Sequence, residues 1–170
     1  MRCLQWPPLR EWNDRETARS EEWMARALDE AREAARAGDV PVGALVVSGD
    51  RVLARAQNRR ERDTDPTAHA ELLALQDAAK ALGRWRLTGV EIYSTLEPCP
   101  MCAGAMIAAR IDRVIFGAFD PKAGACGSVV DLFAPGRFNH RPMVVGGVMA
   151  ERCGEVLREF FAGRRSAVVG

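Results

Sequence analysis

The sequence predicts an α/β fold: three layers, α/β/α, built around a mixed five-stranded sheet. Three observations predict it. Apolar spacing along the chain runs helix, strand, strand, helix, strand, helix, strand, strand, helix. The first two strands are joined by Ser48-Gly49-Asp50, which is hairpin chemistry, whereas helices alternate with strands further on, so the sheet is of mixed direction. A chain of 170 residues with 48% apolar content can bury one real core.

Each element follows in order. Residues 1–16 read as an N-terminal extension, since Trp6-Pro7-Pro8 opposes helix; Trp6 and Trp12 either dock on a surface or belong to an irregular tail. Cys3 carries no role. From 17 to 37 the positions Trp23, Met24, Ala27, Leu28, Ala31 and Ala34 keep helical spacing, and Gly38 suits the C-terminal cap. Strands are expected over 40–47 and 52–57. Asn58 falls just past the second, where an amide either closes a turn or offers a donor and an acceptor to a bound ring. The charged run 59–65 reads as a loop, and Pro66 opens a helix carrying His69 and Glu71, with Leu72, Leu75 and Ala79 as its buried stripe and Gly83 at its end. Trp85 covers the core or sits at an interface.

A strand over 91–95 leads into a helix reaching about Arg110. Its small residues Ala103, Gly104, Ala105, Ala108 and Ala109 permit close packing, on the sheet or against a second subunit. The strand over 113–118 runs into the loop 119–128, at a strand's C-terminal edge, where α/β sheets carry their binding loops. A strand over 143–145 and a helix over 151–161 close the domain, with Cys153, Val156, Leu157, Phe160 and Phe161 apolar, and residues 166–170 form a tail. Cys126 and Cys153 read as packing residues.

Composition excludes several classes. A net charge of +1 removes whole-protein attraction to nucleic acid, so any RNA contact must be local. The basic excess lies at the C-terminal end, where residues 110–170 hold nine basic and six acidic groups. Five cysteines, an odd number, and a start without a leader pattern argue against secretion and a disulfide framework and point to reducing cytosol. No apolar run approaches the roughly 18 residues of a membrane span.

Chemistry concentrates in two stretches, Thr67-Ala68-His69-Ala70-Glu71 and Glu97-Pro98-Cys99-Pro100-Met101-Cys102. A zinc ion that acts on substrate needs three protein ligands and a fourth position for water; His69, Cys99 and Cys102 supply three. Glu71 is placed to trade protons with that water. Cys99 and Cys102 share one face of a first helical turn if Pro98 or Pro100 opens the helix, and the dipole there favours thiolates. His69 and Glu71 stand roughly 200° apart on an ideal helix. Both reach one ion only if their helix also begins there, which predicts two helix starts facing the metal. A lone Cys-x-x-Cys also serves redox sites and zinc knuckles, but a thioredoxin-like site leaves His69 and Glu71 without a function. Histidine-x-glutamate followed by proline-cysteine-x-x-cysteine is the general signature of zinc deaminases of nucleobases.

From about residue 20 to 165 the chain resembles the bacterial tRNA-specific adenosine deaminases. The words that carry the resemblance are Val40-Pro41-Val42-Gly43-Ala44, Asp65-Pro66-Thr67-Ala68-His69-Ala70-Glu71, Thr95-Leu96-Glu97-Pro98-Cys99-Pro100-Met101-Cys102-Ala103-Gly104-Ala105, Lys122-Ala123-Gly124-Ala125, Asn139-His140, and Phe160-Phe161 followed by Arg164-Arg165. The resemblance implies a cytidine-deaminase-like fold, with a zinc-dependent deaminase domain over 17–165. The implied reaction is hydrolytic deamination of the wobble adenosine of an anticodon to inosine: zinc hydroxide attacks adenine C6, Glu71 shuttles protons, and ammonia leaves. It implies His69, Cys99 and Cys102 as ligands of Zn2+, Asn58 as the contact to the purine, and the Ala70 N–H directed at the zinc-bound oxygen. Asp120, Lys122, Asn139, Arg164 and Arg165 are implied as contacts to a tRNA anticodon stem-loop, an arginine tRNA being the expected partner. The chain is expected to be a cytoplasmic homodimer, without a membrane, whose second copy helps complete each RNA site.

Plainer roles stand beside these: a turn and a surface imidazole for Asn139 and His140, and helix-end cations for Arg164 and Arg165. Phe119 is a departure from the pattern; a base could stack on it, or it could be buried or face the dimer partner. Two other functions compete, a deaminase of a free base or nucleoside such as guanine or cytosine, and a non-catalytic RNA-binding subunit with structural zinc.

Overall fold

Capping chemistry sets where the first helix begins. In the computed structural model, which describes residues 12–168, the Asn13 side chain accepts from the Glu16 N–H at 3.0 Å while the Glu16 carboxylate accepts from Asn13. This reciprocal box satisfies donors the helix cannot, and α1 spans Asp14–Arg36. It therefore starts three residues before the expected 17, inside what reads as extension. Trp12 packs against the core beneath α1, whereas Cys3 and Trp6 lie outside the described residues.

Two strands follow, β1 (Gly43–Ser48) and β2 (Arg51–Gln57), paired antiparallel. β1 begins at Gly43 rather than 40 because Pro41 has no N–H for a ladder. The charged run expected as a loop contains a one-turn helix, α2 (Arg60–Asp63). The buried Asp39 carboxylate accepts from the Glu61 N–H at 2.7 Å and so satisfies one donor of that turn. Helix α3 spans Ala70–Leu82, not from Pro66: the Asp65 carboxylate accepts from both the Thr67 N–H and hydroxyl at 2.7 Å, and this local turn competes with helix. Its buried face is Ala70, Glu71, Ala74, Leu75 and Ala78, with Leu72 and Ala79 only partly buried, so the stripe is turned from the expected one.

The remaining elements are β3 (Glu91–Leu96), α4 (Pro100–Ala109), β4 (Arg113–Ala118), β5 (Met143–Gly146) and α5 (Ala150–Val168). α5 thus continues past Phe161 into the expected tail. The sheet order is β2-β1-β3-β4-β5. β1 runs antiparallel to both neighbours, and β3, β4 and β5 are parallel. Five strands of mixed direction were expected and are observed.

Period-two alternation sends each strand's residues to opposite faces. Ile92 and Val114 join Ala74, Ala78 and Met106 in one core, under α3 and α4; Tyr93 and Ile115 join Met24, Leu28 and Cys153 in the other, under α1 and α5. Each fully buried aliphatic side chain contributes about 1.5–3 kcal/mol. Gly43 sets the closeness of α1 to the sheet, because a β-carbon there would strike the Ala27 carbonyl and the Ala31 nitrogen. Directions then collect one edge: the start of β1, the end of β2 and the C-terminal ends of β3 and β4 lie together.

Candidate active site

Two helix starts meet at that edge. His69 is the N-cap of α3 and Cys99 the N-cap of α4, with Pro100 in the first turn. Both caps have extended backbone, so each side chain projects ahead of its helix. His69 Nδ1 stands 3.7 Å from Cys99 Sγ and 3.5 Å from Cys102 Sγ. All three donor atoms fall within 4.8 Å of one another. One imidazole nitrogen and two sulfurs fit a borderline-soft ion such as zinc, and three ligands suit a catalytic rather than a structural site.

Close packing couples the protons of the three groups. The Cys102 thiol donates to Cys99 and His69 bonds it too, so the Cys99 pKa falls to about 4 against the opposing effect of burial. Cys102, as the donor and buried, is pushed far up. The pair holds one proton between them, which metal binding would release. His69 is raised, first by its bond to Cys99.

Glu71 follows two residues later, in the first turn of α3, and is only 4% exposed. Burial pushes its carboxyl above the usual range, although charge on His69 opposes this. A buried carboxyl beside His69, Cys99 and Cys102 is placed to carry protons.

Beside His69 and Cys99 lies a cavity of about 190 Å³, its walls including Val40, Val42, Asn58, Ala70, Glu71 and Asp120. Asn58 is 5% exposed, and its Nδ2 donates to the Val40 carbonyl at 3.0 Å. The amide therefore ties the end of β2 to the segment that precedes β1, and it lines the cavity rather than closing a turn. Asp120 Oδ1 accepts from the Lys122 N–H at 2.9 Å.

Glu97, which sequence reasoning passed over, organises the other wall. Its buried carboxylate accepts from the backbone N–H groups of Asp120 and Cys126 at 2.9 Å and of Ser128 at 3.1 Å, and from the Ser128 hydroxyl. The loop 119–128 wraps around this one side chain. Gly124 is part of the fit, because a β-carbon there would enter the Glu97 carboxylate. An acid beside Pro98-Cys99 is visible in sequence, but its partners, three backbone N–H groups and one hydroxyl, lie 23 to 31 residues downstream.

The structure separates the remaining expected contacts. Lys122, Arg164 and Arg165 line a second, larger groove that shares Val40, Leu96 and Asp120 with the cavity. Arg164 also donates to the Gly38 carbonyl at 2.6 Å and lies over the Phe160 ring. Asn139 lines neither space; its Oδ1 accepts from Arg110 at 2.6 Å, just past the far end of α4. That end is about 15 Å of helix away from Cys99. Within one chain Asn139 is not brought to the site. Phe119 is half exposed in the larger groove, not buried. Cys126 and Cys153 are buried packing residues, one in each core. Trp85 is exposed, with Arg86 stacked on it. Among the described residues no helix is long and apolar enough to cross a membrane.

The sequence profile of the MafB19-like deaminases matches residues 18–165. A tRNA-specific adenosine deaminase of Bacillus subtilis is 50% identical over 139 residues, covering 82% of this chain and 86% of that protein. A solved structure from work on A-to-I editing by tRNA:A34 deaminases at the wobble position superposes with a TM-score of 0.77 at 45% identity, covering 80% of this chain and 99% of the other. A solved guanine deaminase of Bacillus subtilis superposes with a TM-score of 0.56 at 40% identity, covering 58% of this chain and 64% of the other.

Proposed function

The chain belongs to the MafB19-like deaminase family, and on that premise we propose that it is a zinc-dependent enzyme converting adenosine to inosine at the wobble position of a tRNA anticodon. The observation that carries this is the meeting of His69 Nδ1 with Cys99 and Cys102 beside buried Glu71, in a chain so similar to tRNA-specific adenosine deaminases. His69, Cys99 and Cys102 would hold the zinc. Bound there, zinc supplies a water whose pKa is lowered from about 16 to about 7 as the attacking group.

The chain's own residues do the rest. Asn58, fixed by its bond to the Val40 carbonyl, keeps a second amide proton and its oxygen for the purine edge. Glu71 takes a proton, passes it to adenine N1 and later protonates the departing amino nitrogen; water and adenosine become inosine and ammonia. The Ala70 N–H is among the donors a helix start leaves without an intrahelical partner, and it stabilises the oxygen added at C6. Asp120, Lys122, Arg164 and Arg165 contact the anticodon loop. Asn139 acts from a second copy of the chain, since it stands away from the cavity in its own, so the enzyme works as a homodimer. Its substrate is an arginine tRNA, met in the cytoplasm.

The test is to incubate purified, zinc-loaded protein with an arginine tRNA anticodon stem-loop, and separately with free adenosine, guanine and cytosine. Sequencing should read the wobble adenosine as inosine, with no turnover of the free compounds. Deamination of guanine with none on the stem-loop would overturn the proposal in favour of the free-base chemistry that the likeness to a guanine deaminase makes the nearest rival.

A further inference from the structure

We propose that the groove between the loop after β4 and helix α5 is a stacking site for the nucleobase adjoining the target adenosine, with Phe119 as its platform. The inference rests on the RNA reading above. The Phe119 ring is 50% exposed, yet it is held in place: its ring centroid lies 5.2 Å from that of Phe116 at 88°, an edge contact. A large apolar side chain fixed in position but left half in water is poorly explained by packing alone. It lines a groove of about 1180 Å³ that also contains Phe161, 43% exposed, and Leu157.

Charge selects the occupant. Around this apolar floor stand four cations, Lys122, Arg158, Arg164 and Arg165, and one carboxylate, Asp120. Arg158 is paired with Glu151 at 2.5 Å and Arg164 with the Gly38 carbonyl at 2.6 Å, so phosphate contact falls first to Lys122 and Arg165. Aromatic floor and cationic rim together match a single-stranded nucleotide, whose base stacks while its phosphate meets the cations. Continuity sets that nucleotide next to the target. The groove and the cavity share Val40, Leu96 and Asp120, so a strand with its target base in the cavity must lay an adjoining residue across this lip.

The test uses the zinc-loaded protein and three anticodon stem-loops: intact, and with an abasic nucleotide on the 5′ or the 3′ side of the target. Phe119→Ala should bind the intact RNA about 5- to 150-fold more weakly than wild type. On one of the two abasic RNAs, wild type and variant should bind alike. Phe119→Tyr should restore affinity, and Phe119→Leu, which keeps an apolar contact with Phe116, should show the same base-dependent loss should the alanine variant misfold. An equal loss on all three RNAs, or no loss on any, overturns the inference while leaving wild-type deamination of the intact stem-loop to support the function. No deamination of that stem-loop by wild type removes the function and this inference together.

Discussion

Replacing Glu97 with glutamine would remove the charge around which the loop 119–128 is folded. The carboxylate accepts from three backbone N–H groups and one hydroxyl. Glutamine keeps one acceptor oxygen and turns the other position into a donor that confronts donors. The Ser128 hydroxyl can rotate to accept, so the minimum damage is one backbone N–H left unpaired in a buried place, about 1–3 kcal/mol, plus the loss of charge assistance in the surviving bonds, about 1 kcal/mol. A total of roughly 2–4 kcal/mol lowers Tm by roughly 4–16 °C for a domain of this size. Calorimetry of the zinc-loaded variant reads this directly. Because Asp120 and Ala123 line the substrate cavity, KM for the stem-loop should rise together with the fall in Tm. Ser128→Ala removes a single donor and should lower Tm by far less. A glutamine variant with wild-type Tm and KM would refute the idea that this carboxylate holds the loop.

Glu71→Ala should cut turnover by at least about 10²–10⁴-fold while zinc content and fold stay intact; undiminished turnover would take Glu71 out of the chemistry, and retained zinc without catalysis distinguishes a proton carrier from a ligand. Cys99→Ala should lose the metal itself, read as a zinc-to-protein ratio by elemental analysis, and an unchanged ratio would contradict the assigned ligand set. In chelator-treated protein at pH 8, iodoacetamide should modify Cys99 ahead of Cys126 and Cys153. Its depressed pKa of about 4 makes it thiolate above roughly pH 5, whereas Cys153, pushed up to about 11, and Cys126, pushed higher still, stay protonated until pH approaches those values. Mass spectrometry of the labelled peptides checks the order, and Cys126 or Cys153 reacting as fast as Cys99 would count against the assigned burial.

Much of the site could be read from residue types and spacing because its constraints are local. A histidine and a glutamate two apart cannot share one side of a helix interior, and that alone required their helix to begin at the site; it begins at Ala70, with His69 as its cap. The expectation that Pro66 opens the helix failed for a reason of similar range, since Asp65 bonds Thr67 instead. The start of α1 was encoded in Asn13-x-x-Glu16, a capping box that apolar spacing does not register. Glu97 was beyond reach for a different reason: three of its four donors are main-chain groups of a distant loop, which have no signature in side-chain identity. Asn139 shows the same limit, because nothing in its neighbourhood in sequence says which end of α4 it joins.

Hanging the His69 and Cys99 side chains on helix caps has an architectural consequence. Because His69 and Cys99 stand ahead of their helices and only Cys102 lies within one, neither α3 nor α4 must reserve a broad polar stripe for chemistry. Their bodies are left to alanine, leucine, methionine and isoleucine, seated flush on the sheet. Reactive groups and scaffold are thereby kept apart along the chain, so the scaffold can drift in sequence through volume-conserving exchanges without disturbing the few atoms at its tip.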